Sequence, residues 1–174
     1  MNETHEVAIL EMGVNHFGEM RRLSSVASPD ICVITNIGMA HLEFFKTREG
    51  IFQEKSQMIQ DMKNGGTIIL NGDDDILSSC GPIKGVTPQF FGIGKNNEFY
   101  ADNITSLGLK GTSCTIHLPS GECFDCTVPL PGAHMVSNAL SGAAVGYNLD
   151  LTAEEIKAGI EHLPSIPGRG AIIS

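Results

Sequence analysis

Two apolar runs, each leading directly into a short polar motif, set the strongest limit on how this chain folds. Residues 7–10 precede the motif EMGVNHFGE, and residues 31–35 precede the motif NIGMAH. Short, continuous apolar runs are typical of buried parallel strands, and open α/β sheets bind ligands beyond the carboxyl ends of such strands. We therefore expect the polar side chains of both motifs to lie at one edge of one sheet. These side chains are Glu11, Asn15, His16, Asn36 and His41.

Strand and helix patterns alternate along the chain, which predicts an α/β fold with a mostly parallel sheet flanked by helices. Strands are predicted at residues 6–10, 31–35, 67–70 and 87–92, and helices at residues 18–27, 48–62, 135–148 and 152–163. Thr152 and Glu155 have the spacing of a capping box at the start of the last helix. Short alternating segments at 112–118 and 122–128 are typical of a hairpin, so we expect a small antiparallel β subdomain at residues 98–130.

Length and charge restrict the partners of the chain. Its 174 residues can bury one sizeable core. Twenty acidic and eleven basic residues give a net charge of −9, which argues against a nucleic-acid partner because duplex binding needs a basic face. No apolar run approaches the roughly 20 residues of a membrane span, and the polar, acidic start is unlike a secretory signal. We expect a soluble, cytoplasmic protein.

Lys55 stands among apolar residues of a predicted helix. It shares a helical face with Ile51, Met58 and Ile59, so we expect it to be partly buried. One interpretation is a lysine whose stem packs on apolar surface while its ammonium reaches water. The other is a desolvated amine with a lowered pKa, which can react with CO₂. The resulting carbamate would turn a cation into a metal-binding anion.

Other polar residues have both a structural and a functional interpretation. The Glu11 carboxylate can bind a Mg²⁺ that also contacts phosphates, or it is a solvated charge. Asn71 and Asp73 end the predicted third strand, where Asn-Gly-Asp also suits a turn. His134 and Asn138 share a helix face and either contact a nucleotide or pack locally. The sequence contains no GxxxxGK[ST] motif, so these residues alone would lack the main phosphate cradle of an ATP site.

The five cysteines are scattered among apolar neighbours. Cys32 lies inside a predicted strand and is expected to be a small core residue. Cys123 and Cys126 have CxxC spacing, but this spacing alone is weak evidence for zinc or redox chemistry. Zinc would need two more ligands at matched spacing, and none is obvious.

Taken in order, the motifs resemble the central, ATP-binding domain of the Mur ligases. The resemblance extends from residue 6 to about residue 169, and the first motif favours the branch of the family that joins D-Ala-D-Ala to UDP-MurNAc-tripeptide. The motifs are EMGVNHFGE at 11–19, NIGMAH at 36–41, EKSQMI at 54–59, LNGDD at 70–74 and GAHMVSN at 132–138.

The resemblance implies an ATP-dependent amide ligase of peptidoglycan precursor synthesis that acts through an acyl phosphate. It implies two Mg²⁺ ions, one bound by Glu11 and one by His41 together with a carbamylated Lys55. These three are the implied catalytic residues. The implied ATP-binding residues are Asn36, Asn71, His134, Asn138 and Arg169. The implied partners are UDP-MurNAc-tripeptide and D-Ala-D-Ala.

The phosphate loop of the family precedes the position of Glu11. The resemblance therefore implies that residues 1–174 are a fragment of the central domain, without the P-loop and without the N-terminal and C-terminal domains. We expect this fragment to be inactive by itself. Two alternatives stay open: another Mur-like ligase of the folylpolyglutamate or cyanophycin synthetase type, and a non-catalytic nucleotide-binding module.

Overall fold

A computed structural model of the chain describes residues 4–39 and 42–163. In this described part, six strands form one sheet in sequential order. They are β1 (Ile31–Ile34), β2 (Thr67–Asn71), β3 (Gln89–Gly92), β4 (Phe99–Ser106), β5 (Thr112–His117) and β6 (Cys123–Val128). Strands β1 to β4 pair in parallel, whereas β4, β5 and β6 form an antiparallel meander. The predicted α/β fold with a mostly parallel sheet is confirmed.

Within the described residues, five α-helices accompany the sheet. They are α1 (Glu19–Ala27), α2 (Leu42–Phe45), α3 (Arg48–Lys55), α4 (Ala133–Asn148) and α5 (Ala153–Glu161). The helix predicted at 48–62 is α-helical to Lys55 and continues as the 3₁₀-helix Ser56–Asp61, a common ending for an α-helix. The predicted capping box of α5 is confirmed, because the side chains of Thr152 and Glu155 each accept a hydrogen bond from the other residue's backbone N–H.

Strand β2 is buried on both faces and separates two hydrophobic cores. Ile69 points into the core formed with α4 and α5. Ile68 and Leu70 point the other way, into the core formed with α1 and α3. All three side chains are fully buried. A central parallel strand covered on both faces by helices explains the continuous apolar run in the sequence.

The predicted strand at residues 6–10 is wrong. Val7, Ile9 and Leu10 are 53%, 87% and 59% exposed, and the segment has irregular structure. Its composition suits a buried strand, but a strand also needs a neighbouring backbone to pair with. In the part of the chain that the structure describes, β1 pairs only with β2. Glu11 therefore lies exposed in an irregular segment instead of at the end of a strand.

The meander β4–β6 continues the parallel sheet and shares the core of α4 and α5. The division of the chain into a central-domain fragment over residues 1–174 and a subdomain at 98–130 stays a prediction. Among the described helices, none combines the length and the apolar character needed to cross a membrane.

We expect Ile69→Ala to lower the free energy of unfolding by about 2–5 kcal/mol, because it leaves a cavity in a fully buried position. The matched control is Ile9→Ala, which removes the same atoms from an exposed side chain and should change stability by less than about 0.5 kcal/mol. Urea unfolding measures both. A loss of similar size in the two variants would show that residues 6–10 are buried after all.

Candidate functional site

Three loops follow the carboxyl ends of the parallel strands β1, β2 and β3. We name residues 35–39, 71–75 and 92–97 the rim. The rim is the part of a parallel sheet where ligands bind in open α/β folds. Side chains of the loop after β2 form hydrogen bonds to the backbone of the other two loops, and these bonds fix the shape of the rim.

Asn71 joins the ends of β1 and β2. Its side-chain amide donates to the backbone oxygen of Thr35 at 2.9 Å, and its side-chain oxygen accepts from the backbone N–H of Asp73 at 2.9 Å. The second bond is the turn chemistry that Asn-Gly-Asp predicts. Asn71 therefore lies at the rim as predicted and has a structural role there, while its contact with ATP stays a prediction.

Asp74 lies in the loop after β2 and holds the loop after β1 in place through a hydrogen bond. One carboxylate oxygen accepts from the backbone N–H of Ile37 at 2.8 Å. The other accepts from the N–H groups of Ile76 and Leu77 at 3.0 and 3.1 Å, where the 3₁₀-helix Leu77–Ser79 begins. Backbone N–H groups at a helix start favour a carboxylate, so this buried charge is well compensated.

Arg48, at the start of α3, also forms a hydrogen bond to the loop after β1. Its Nε donates to the backbone oxygen of Ile37 at 2.9 Å, and its two terminal nitrogens donate to Asp75 at 2.8 and 2.5 Å. The hydrogen bonds from Arg48 lower the pKa of Asp75, and those to Asp75 raise the pKa of Arg48. This bidentate pair keeps the loop after β1 in register with the loop after β2.

Asp73 ties the loop after β3 to the rim. Its carboxylate accepts from the backbone N–H groups of Ile93 and Gly94 at 2.5 and 3.3 Å and from the side-chain amide of Asn97 at 3.2 Å. At Gly92, a Cβ atom would lie 2.5 Å from both Asp73 Oδ1 and Asn97 Nδ2. A side chain at position 92 would therefore displace the Asp73 carboxylate and the Asn97 amide from this hydrogen-bonded arrangement.

Lys55 reaches the rim from the end of α3. Its Nζ donates to the backbone oxygen of Asn36 at 2.9 Å, and the side chain is half-buried, as predicted. Burial lowers the pKa of Lys55 because it disfavours the ammonium form, while the negative charge of Asp74 acts in the opposite direction. Lys55 and Asn36 are thus brought together, and the amine is easier to deprotonate than an exposed lysine.

Glu54 is a site-forming residue that the sequence interpretation missed. Its side chain is only 2% exposed, and its two oxygens accept from the backbone N–H groups of Gly18 and Met20 at 2.9 and 2.8 Å. The bonds fasten the start of α1 to α3. One signal could have found it, because Glu54 lies three residues after Ile51 and four before Met58 on an otherwise apolar face.

Glu19 shapes the first motif. Its carboxylate accepts from the backbone N–H groups of Asn15 and His16 at 2.7 and 3.1 Å and contacts the His16 ring at 3.2 Å. These hydrogen bonds, with that from Asn15 first, lower the pKa of Glu19. The His16 ring also packs edge-on against Phe44 of α2, with ring centroids 4.6 Å apart. In the structure, Asn15 and His16 are organised around the start of α1.

The remaining predicted site residues fall into two groups. His134 and Asn138 are exposed in the first turns of α4, four residues apart on one face, and Asn138 contacts Met135. Strand β6 runs in the same direction as β4, so α4 begins on the rim side of the sheet. His41 and Arg169 lie outside the described residues.

A metal centre built on Glu11, His41 and Lys55 stays a prediction. Within residues 4–39 and 42–163, no three His, Cys, Asp or Glu side chains are grouped closely enough to hold a metal ion. That range leaves out His41, and the Lys55 side chain is an amine in the structure. The geometry thus brings Lys55, Asn36 and Asn71 to one rim and leaves Glu11 on an irregular segment.

Comparison with known proteins relates this fold to ligases. The chain is 34% identical over 176 residues to the UDP-N-acetylmuramoyl-tripeptide--D-alanyl-D-alanine ligase of Buchnera aphidicola subsp. Baizongia pistaciae. It is 32% identical over 167 residues to the protein of the same name from Escherichia coli K12. These alignments cover 99% and 95% of this chain, which spans 37% and 36% of the length of the two relatives.

A solved structure and a family profile give the same relationship. The crystal structure of MurF from Acinetobacter baumannii superimposes with a TM-score of 0.92 at 29% identity, covering 100% of this chain and 38% of that one. Residues 1–146 match the profile described as the Mur ligase middle domain. Since this match extends over most of the chain, the chain belongs to the Mur ligase family.

Proposed function

We propose that the whole protein is a cytoplasmic, ATP-dependent ligase that joins D-Ala-D-Ala to UDP-MurNAc-tripeptide during peptidoglycan precursor synthesis. The observation that carries the proposal is the 32–34% identity, over nearly all of this chain, to ligases named for that reaction. The rim gives this similarity a physical basis. It combines a desolvated lysine with amide side chains at the carboxyl ends of parallel strands, where phosphate-bearing ligands bind.

The proposed reaction has two steps. A carboxylate of the tripeptide attacks the γ-phosphorus of ATP, which forms an acyl phosphate and releases ADP. The amine of D-Ala-D-Ala then attacks the acyl carbon and loses a proton, the amide bond forms, and phosphate leaves. Asn36, Asn71, His134, Asn138 and Arg169 are the residues that we propose to bind and orient ATP.

The donor groups of Glu11, His41 and Lys55 fit Mg²⁺ on the condition that the Lys55 amine first becomes an anion. The carboxylate of Glu11 is a hard oxygen ligand of the kind Mg²⁺ prefers, and we propose that it binds one ion. His41 and Lys55 would bind a second, for which the lysine must first become an anion. Bound Mg²⁺ would neutralise charge on the phosphates. The lowered pKa of Lys55 favours conversion of the amine into a carbamate anion, because only the neutral amine reacts with CO₂.

Carbamylation of Lys55 needs no reactant other than CO₂. The lone pair of the neutral Lys55 amine attacks the carbon of CO₂, one C–O π bond opens to give a carboxylate, and the nitrogen loses one proton. The hydrogen bond from Lys55 to the backbone oxygen of Asn36 positions the nitrogen at the rim. Burial favours the neutral amine before the reaction, and metal binding would stabilise the carbamate after it.

We expect the chain to show a Lys55 carbamate signal in ¹³C NMR when it is equilibrated with ¹³CO₂. Because the pKa of Lys55 is lowered, the neutral amine is populated at a lower pH than for an exposed lysine, and the signal should grow as the pH rises. Lys55→Arg should abolish the signal. Lys46→Arg is the matched control, since the exposed Lys46 also donates to a backbone oxygen, that of Glu43. A signal that survives in Lys55→Arg contradicts the assignment.

In the whole protein, continuous ADP release over many turnovers should require both UDP-MurNAc-tripeptide and D-Ala-D-Ala, because each new turnover begins only after the amine has consumed the acyl phosphate. Lys55→Arg should slow it about 10²-fold or more, the scale of losing one electrostatic contact to a transition state. Lys46→Arg should leave the rate unchanged. The 174-residue chain, which contains no GxxxxGK[ST] motif, should release no ADP under the same conditions. Release of ADP with glutamate as the only acceptor would favour a ligase of the folylpolyglutamate synthetase type.

Nucleotide binding without ADP release, in the whole protein and with both substrates present, would favour a non-catalytic binding module. These outcomes are independent of the carbamate measurement. The NMR experiment tests the chemistry of Lys55, whereas the acceptor requirement tests the identity of the substrates.

A further inference from the structure

Two cysteines that are distant in sequence face each other in the antiparallel meander. Cys114 of β5 is directly opposite Cys126 of β6 in the strand register, and their Sγ atoms are 3.8 Å apart. Both side chains are buried, at 4% exposure. The CxxC spacing of Cys123 and Cys126 does not bring those two together, because residues three apart on a strand point to opposite faces. Cys123 is exposed.

The backbone geometry suits a bond between the two sulfurs. Directly opposed residues of antiparallel strands have Cα atoms about 4.5 or 5.5 Å apart, depending on the type of pair. Both values lie within the range of about 4.4–6.8 Å that disulfides adopt. Small rotations of the side chains and a slight approach of the strands are therefore enough to bring the sulfurs of Cys114 and Cys126 to bonding distance.

A groove borders the pair of cysteines. Its volume is about 410 Å³, and it runs between the meander and α5. Cys114 and Cys126 contribute to its lining together with Lys157 and Glu161 of α5. Glu161 also accepts a hydrogen bond from the backbone N–H of Thr127 at 3.3 Å, which holds α5 against β6. A molecule the size of hydrogen peroxide can enter such a groove without unfolding of the sheet.

We propose that Cys114 and Cys126 form a reversible oxidation site, in which a small two-electron oxidant of the peroxide class converts the two thiols into a cross-strand disulfide. The Cys114 thiolate attacks one oxygen of hydrogen peroxide, the O–O bond breaks and a sulfenic acid forms, and the departing hydroxide takes up the proton that the Cys114 thiol lost and leaves as water. The sulfur of Cys126 then attacks the Cys114 sulfur, the S–O bond breaks, and a second water leaves. Two thiols are oxidised by two electrons, and one peroxide is reduced to two waters.

The pair has an internal division of roles. The two sulfurs share a hydrogen bond, which lowers the pKa of Cys114 and raises that of Cys126. Cys114 is therefore the first nucleophile and Cys126 the resolving thiol. Burial raises the pKa of Cys32 to about 11, so this thiol is a poor competitor.

The test uses the 174-residue chain with Cys123→Ser, which removes the exposed thiol that would react first or join two chains. Hydrogen peroxide should reduce the intact mass by two hydrogen atoms, and non-reducing peptide mapping should join the peptides that contain Cys114 and Cys126. Dithiothreitol should restore the original mass. In the same background, Cys114→Ala should lose the mass change and the link completely, while Cys80→Ala, the matched control, should keep both.

Circular dichroism before oxidation establishes that each variant is folded. If Cys114→Ala fails to fold, Cys126→Ala supplies the same comparison, and the peptide map of the parent chain decides by itself. Addition of oxygen without loss of hydrogen, a link that includes Cys32 or Cys80, or no reaction at peroxide concentrations that modify Cys123 in the unsubstituted chain would each overturn the proposal.

Discussion

The rim depends on the burial of β2 on both of its faces. Ile69 on one side and Ile68 and Leu70 on the other are fully buried, so the strand cannot shift by one residue without exchanging the two cores. Because β2 is fixed in position, the carboxyl ends of its neighbours β1 and β3 are fixed relative to the carboxyl end of β2. The loops that follow are then close enough for Asn71 to bond across to Thr35.

Carboxylates that accept backbone N–H groups complete the arrangement. Asp74 holds the loop after β1, Asp73 holds the loop after β3, and Glu54 holds the start of α1. Each carboxylate accepts hydrogen bonds from backbone N–H groups of a loop or a helix start, so these negative charges have a structural role. Lys55 differs from them, because among the described residues its amine donates to a neutral backbone oxygen, that of Asn36, which leaves the amine suited to further chemistry.

The sequence predicts those features that depend on local pattern. Apolar runs located β1, β2 and β3, and helical spacing located α3 and predicted the partial burial of Lys55. The prediction of a strand at 6–10 was wrong because an apolar run does not specify a neighbouring strand with which it can pair. Glu54 was missed because its acceptor role depends on the loop at Gly18, 36 residues away. The opposition of Cys114 and Cys126 was missed because it follows from strand register, whereas the CxxC spacing drew attention to Cys123.

The sheet order also has a consequence for chain entropy. Pairing β1 with β2 brings residue 31 to residue 67, whereas pairing β5 with β6 brings residue 114 to residue 126. Closing a loop three times as long costs about 1 kcal/mol more. Assembly of the rim must recover this larger cost from the two cores that meet at β2, while the meander forms from neighbouring segments. The two ends of one continuous sheet therefore differ in how much of the remaining molecule each needs in order to form.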